Sequence, residues 1–214
     1  MNKIIAISVW GNNPRYSVGA IRNAELAKEL FPDWKVRIYH DTEVNSIHIE
    51  ELKNFQNVEL IDFSPLSNII APCFWRFYSL FESKDNITLI RDSDSRLSKR
   101  EQKYVNNWLI SDEKYFIIRD HVRHYDFPML AGMWGYKGHM QTSFYDNMIK
   151  YAKNNFYTVD QIYLREVIWE EASQNSYIIG ILENEEFKES RPNILPHFVG
   201  QGYDENDQPI YPIE

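Results

Sequence analysis

Short apolar runs alternate with helix-length amphipathic segments through the first half of this chain, and that alternation constrains the fold more than any other feature. Lys3 to Val9 reads as a buried strand; a polar loop, Gly11 to Arg15, and a helical pattern from about Ser17 to Phe31 follow, and Pro32 stops the helix. A second strand, Lys35 to Tyr39, ends in His40 and Asp41. A helix near Ile47 to Phe55, a strand at Val58 to Ile61 and an aromatic helical stretch, Ala71 to Glu82, lead to a fourth apolar run, Ile87 to Ile90. Strands and helices trading places in this order are the layout of a parallel α/β sheet.

The order then loosens. A helix near Lys99 to Leu109 and a strand at Tyr115 to Ile118 precede a His-rich loop, Asp120 to Pro128, and an apolar segment, Met129 to Trp134, punctuated by Gly132 and Gly135. Two helical stretches, about Gln141 to Lys153 and Val159 to Ala172, a strand at Tyr177 to Leu182 and an irregular tail with His197, Gly200 and Gly202 complete the chain. The expected fold class is α/β, with a mixed, mostly parallel sheet flanked by helices. At 214 residues, 43% of them hydrophobic, the chain is long enough for one sizeable core and too short to need two, so a single domain over 1–214 is expected.

Composition removes several function classes. The balance of 23 Lys and Arg against 31 Asp and Glu gives a net charge of -8, which opposes the phosphate contacts of a nucleic-acid polymer. One cysteine, Cys73, forms no internal disulfide, and the start MNKIIAISVW lacks the apolar region and cleavage site of a signal peptide. No apolar run reaches the roughly 18 residues of a membrane span. A cytoplasmic protein is expected.

In an open α/β sheet, ligands settle beyond the carboxyl ends of the strands. Three polar groups fall at such ends: Gly11 to Tyr16, Asp41, and Asp92-Ser93-Asp94 after the Ile87 run. Thirteen Asp in 214 residues give about one D-x-D triplet by chance, so its weight comes from placement at a strand end. Two carboxylates there suit a hard divalent cation, Mg2+ or Mn2+, over an anionic ligand. Arg91 and Arg96 flank the triplet, with exposed surface charge the expectation for Arg96. Arg76, in the aromatic stretch, needs an anion if buried, either Asp92 or a bound phosphate. The first loop lacks the glycine patterns of dinucleotide enzymes and ATPases.

Thr158 and Gln161 have capping-box spacing, which puts Asp160 in a first helical turn. Asp160 thus reads either as a favourable helix-start charge or as a general base. His121 and His124, three apart in a polar loop, are close enough to share a cleft wall, and Trp134 reads as part core, part exposed ring face.

Taken together, SVWGNNPRY, FWRFYSL, RDSDSR, RDHVRH to PMLAGMWG, TVDQIYL and HFVGQGYD make the chain resemble, nearly end to end, the GT-A class of nucleotide-sugar glycosyltransferases. Within that class it is similar to the small single-domain type of chlorella viruses and some bacteria. The resemblance implies a GT-A (Rossmann-like) fold, with a nucleotide-sugar-binding half, 1–96, and an acceptor-binding half, 97–214. It implies a metal-dependent, inverting glycosyltransferase that moves a sugar from a nucleotide-diphosphate sugar, a UDP-sugar first, to a glycan or glycoconjugate acceptor. Asp94 would be the direct Mn2+ or Mg2+ ligand, Asp92 a ribose or second ligand, and His197 a C-terminal ligand. Trp10, Arg15, Tyr16, Asp41, Arg76, Asp92 and Ser93 would hold the donor, and His121, His124, Gly132 and Trp134 the acceptor. Asp160 would be the base, with Asp120 or His121 next in line. The sequence departs from the family pattern beside Asp160, where a second acid usually stands and Val159 and Gln161 flank the aspartate instead. Two alternatives remain: a non-catalytic nucleotide-sugar or glycan-binding module, and a haloacid-dehalogenase-type phosphatase, which normally carries D-x-D on its first strand.

Overall fold

A computed structural model describes residues 1–210 of the chain. In chain order the elements are β1 (Asn2–Val9), α1 (Pro14–Leu30), β2 (Trp34–His40), α2 (Ser46–Lys53), β3 (Val58–Asp62), a 3-10 segment (Pro72–Phe81) and β4 (Asn86–Arg91). There follow α3 (Lys99–Leu109), β5 (Tyr115–Arg119), β6 (Met133–Lys137), α4 (Thr142–Ala152) and α5 (Val159–Tyr163). A π-helical turn (Leu164–Ile168), α6 (Trp169–Ala172), β7 (Ser176–Gly180) and α7 (Glu185–Glu189) complete the order.

The seven strands form one sheet, β3-β2-β1-β4-β6-β5-β7. β1, β2, β3 and β4 run parallel, β6 lies antiparallel between β4 and β5, and β7 pairs parallel with β5. This is the mixed, mostly parallel α/β sheet expected for a GT-A (Rossmann-like) fold. Side chains along a strand alternate between faces, so β1 feeds two cores. Ile5, Ile7 and Val9 pack with α1, α2, α3 and α7, whereas Ile4 and Ala6 pack with the 3-10 segment and α4 to α6. Every residue of β4 is buried, the polar Asn86, Thr88 and Arg91 along with the apolar Ile87, Leu89 and Ile90. Among the described residues no helix is long and apolar enough to cross a membrane.

Some elements differ from their sequence patterns for local reasons. Helix α1 starts earlier than Ser17, because the Asn13 side chain accepts from the Arg15 N–H and Pro14 takes the first helical position, where its missing N–H costs nothing. The aromatic stretch is wound as a 3-10 helix over ten residues, long for that geometry. Buried Phe74, Trp75, Phe77 and Leu80 hold it against the sheet, and the Arg76 N–H donates to Ser8 Oγ at 3.0 Å. The apolar segment at Met129 becomes a strand only from Met133. Gly135 lies inside that strand rather than in a loop, where a Cβ would come within 2.8 Å of the Thr88 carbonyl. The expected irregular tail contains α7, capped by Asn184.

The capping box before α5 does not form. Thr158 sits at φ +70° and makes no cap bond, while the Gln161 side chain accepts from the Ala131 N–H at 3.1 Å. Gln161 therefore ties α5 to the segment leading into β6.

Candidate functional site

The ends of β1, β2 and β4 do bring the three polar groups together. Asp41, after β2, accepts from the Gly11 N–H with both oxygens at 3.4 Å and from the Glu43 N–H at 3.0 Å, so it is occupied in fixing the first loop. Trp10 stacks on Tyr16, with ring centroids 6.0 Å apart and planes 10° apart, and Trp10 is exposed. A planar base could meet that surface. Arg15, between them in sequence, forms an ion pair with Asp94.

The D-x-D turn hangs from β4 and is held by residues the sequence reading missed. Asn23, buried in α1, donates to the carbonyls of Ser93 (3.1 Å) and Ser95 (2.8 Å) and accepts from the Leu97 N–H (3.0 Å). Gly19, one turn earlier, lets the turn lie against the helix: a Cβ there would stand 2.2 Å from the Ser93 carbonyl oxygen. The signal was an Asn on the same helical stripe as buried Ala20, Ala24 and Ala27, a polar group on an apolar face that needs partners. Ser93 takes part through its backbone.

Arg76 is the hub of the site. Its guanidinium donates to Asp92 Oδ1 (2.5 Å), the Arg91 carbonyl (2.9 Å) and Asp160 Oδ2 (3.3 Å), and its side chain is only 6% exposed. The buried cation found its anion in Asp92, and in Asp160 as well. Asp160 Oδ1 accepts from the Gln161 N–H at 2.9 Å, and 11% of its side chain reaches solvent. Burial raises the Asp160 carboxyl above its usual range, and the negative charge of Asp92 adds to this against the opposing pull of Arg76. Gly132 borders the same spot: a Cβ there would fall 2.0 Å from Asp92 Oδ2, so its place is to make room for that carboxylate.

The donor set suits a hard divalent cation. Asp92, 49% exposed, and Asp94, 16% exposed, offer carboxylate oxygens from one turn. Burial and the charge of Asp92 raise the Asp94 carboxyl against the opposing pull of Arg15. His197 does not join them, and among the described residues no three His, Cys, Asp or Glu side chains gather closely enough to hold a metal. The His197 N–H donates to Gln201 Oε1 at 2.8 Å, and its Nδ1 is buried without a hydrogen-bond partner.

Several expected roles give way to packing. Trp134 is fully buried, edge-on to Phe77 at 5.5 Å, and offers no face to a sugar. Arg91 is buried and paired with Glu101. Arg96, expected on the surface, is 7% exposed; it stacks over Tyr203 and binds Asp207 at 2.7 Å. Since the Tyr203 N–H donates to the Asp94 carbonyl at 2.9 Å, residues 203–207 brace the turn from outside. Asp120 cannot serve as a base: it is fully buried and bound by Arg100 (2.7 and 2.9 Å) and the Val199 N–H (2.8 Å). His121 caps the turn at Val122, its Nδ1 accepting from the Arg123 N–H, and packs on Phe198.

His124 is a core residue rather than an acceptor contact. Its Nδ1 accepts from the Asp120 N–H at 3.0 Å, and burial, reinforced by His121 and Arg191, holds its imidazole down to about 3. The unfolded chain protonates this group from about 6.5 downward while the folded chain resists until about 3, so its contribution is present above that window and lost as pH falls through it. The slope is at most about 1.4 kcal/mol per pH unit. Urea unfolding at pH 7 and pH 4.5 should show the parent losing more stability than His124→Gln. Equal losses would remove His124 as a cause.

No family model matches the chain, and no curated protein matches it. Among solved structures it is similar to the manganese complex of Rv0371C from Mycobacterium tuberculosis H37Rv, at 4% identity and TM-score 0.45, over 84% of this chain and 89% of that one. It is also similar to a Bacillus anthracis protein assigned as a glucose-1-phosphate thymidylyltransferase, in complex with sucrose (10%, TM-score 0.48, 84% and 87%). A third likeness is to the galactosyltransferase LgtC with donor and acceptor sugar analogues (12%, TM-score 0.40, 82% and 72%). Likeness this distant assigns no residue a role.

Proposed function

We propose that this protein is a metal-dependent, inverting glycosyltransferase that uses a nucleotide-diphosphate sugar, a UDP-sugar first, and a glycan or glycoconjugate acceptor. One observation carries the reading: a single guanidinium, Arg76, holds both Asp92 of the D-x-D turn and Asp160 of α5. A candidate general base thus stands beside the carboxylates suited to a diphosphate's counter-ion, at the carboxyl ends of β1, β2 and β4.

The roles follow from this placement. Trp10 and Tyr16 take the nucleobase, with Asp41 keeping their loop in place. Asp94 and Asp92 hold the divalent cation, whose chemistry when bound is to neutralise the leaving diphosphate. Asp160 accepts the acceptor hydroxyl's proton as that oxygen bonds to the anomeric carbon; the bond from that carbon to the diphosphate oxygen breaks, and the diphosphate leaves with the electron pair. Attack from the face opposite the diphosphate inverts the configuration. The raised carboxyl of Asp160 makes it a stronger base than an ordinary aspartate, and turnover should fall as pH drops into its raised range.

A binding module without catalysis is the second reading, favoured by one observation: both oxygens of Asp160 already accept hydrogen bonds. The phosphatase reading has no such support, because β1 ends at Val9 and is followed by Trp10, whereas D-x-D follows β4.

Thermal-shift screening of nucleotide sugars with and without Mn2+ tests the proposal, since a ligand bound by the native state alone raises Tm. A UDP-sugar should stabilise the parent only with the metal present, and Asp94→Asn should abolish that gain while keeping its own Tm. An equal gain in EDTA would refute the metal-dependent site.

A further inference from the structure

Each aspartate of the D-x-D turn has its own arginine, and the two arginines are held very differently. Arg76 is nearly enclosed and fixed by three acceptors, the Arg91 carbonyl among them. Arg15 stands on the first turn of α1 with 24% of its side chain exposed, and Asp94 is its one ion-pair partner among the described residues. Its Nε, like that of Arg76, is buried without a hydrogen-bond partner, and its guanidinium carbon lies 5.3 Å from the centre of the Tyr16 ring, on the aromatic surface expected to take the nucleobase. One cation is therefore locked and the other can be released.

We propose that Arg15 is an exchangeable counter-ion: it neutralises Asp94 until a divalent cation takes that carboxylate, and then pairs with the nucleotide's diphosphate. The inference rests on the metal-dependent reading above and adds an order of events to it. A metal ion and a guanidinium on one carboxylate repel each other, so metal binding alone must break the Arg15–Asp94 pair without replacing it. A diphosphate arriving beside the metal gives the released guanidinium a bidentate partner. Metal and diphosphate must then each strengthen the other's binding, as linkage requires.

The test uses the whole protein as parent, Arg15→Gln and Arg15→Lys. Free Mn2+ is followed by electron paramagnetic resonance without nucleotide, and UDP binding by calorimetry at saturating Mn2+, with Tm as a check on folding. Arg15→Gln should bind Mn2+ alone at least about fivefold more tightly than the parent, and UDP at saturating Mn2+ at least about fivefold more weakly. Arg15→Lys, which keeps the competing charge, should stay near the parent for Mn2+. The opposite signs of the two glutamine effects are the signature, since a disturbed fold would weaken both. If Arg15→Gln binds Mn2+ no better than the parent, or UDP no worse, the exchange is overturned while the glycosyltransferase reading stands. If neither protein binds Mn2+, the exchange and the metal-dependent reading fall together.

Discussion

Asp160→Asn is expected to lower transfer by at least about a hundredfold, with donor affinity and Tm little changed. The amide keeps the size of the carboxylate, and its oxygen can still accept from Arg76 or from the Gln161 N–H, but it takes no proton from an acceptor hydroxyl. Two further results sharpen the test. The residual activity should lose the parent's decline at low pH, because the raised carboxyl responsible for it is gone. NMR of the parent's product should show an anomeric configuration opposite to the donor's. Near-normal turnover in Asp160→Asn would leave Asp160 a structural partner of Arg76 and favour the binding module, and a retained configuration would remove the inverting mechanism.

Arg76→Ala should act mainly on stability. Read from the sequence, Arg76 was a donor ligand whose loss would raise the donor KM without much effect on folding. The structure gives it a different task, because its guanidinium is spent on Asp92, Asp160 and a backbone carbonyl. Removing it strands Asp160 as a largely buried, uncompensated charge, a loss of about 3–5 kcal/mol and roughly 10 °C in Tm. Calorimetry of Arg76→Ala decides the matter. An unchanged Tm with a raised donor KM would restore the ligand role, whereas recovery of Tm in Arg76→Ala combined with Asp160→Asn would show that the stranded charge is the cause.

The parts of this molecule legible in the sequence are those written over short stretches. The alternation of strands and helices through β4 was readable because β1 and β4, buried along most of their length, show as apolar runs between helical patterns. The D-x-D turn was readable because acids follow the β4 run at once. What stayed hidden depends on partners distant in the chain. Nothing around Thr158 shows that Gln161 turns to Ala131 instead of closing a capping box. Nothing around Arg96 shows that Asp207 covers it, so a buried arginine looked like a surface one. Trp134 between two glycines suggested an open platform, but the antiparallel insertion of β6 puts it in the middle of the sheet. The hub itself, Arg76 with Asp92 and Asp160, joins three segments that no local pattern relates.

The place of β4 has a mechanical consequence. Hydrogen-bonded along both edges, to β1 and β6, and buried at every residue, it belongs to the part of a fold whose backbone amides are freed only by unfolding on a large scale. The acids at its end are therefore mounted on a strand fixed along both edges. On the proposed reading, accommodation of differently shaped sugars would fall instead to more exposed ground: the loop after β1, and the segment before α5 where Phe156 and Tyr157 stand in solvent, Tyr157 at 93% exposure. A protein arranged in this way can change what it recognises by altering those loops while the anchorage of its acids stays as it is.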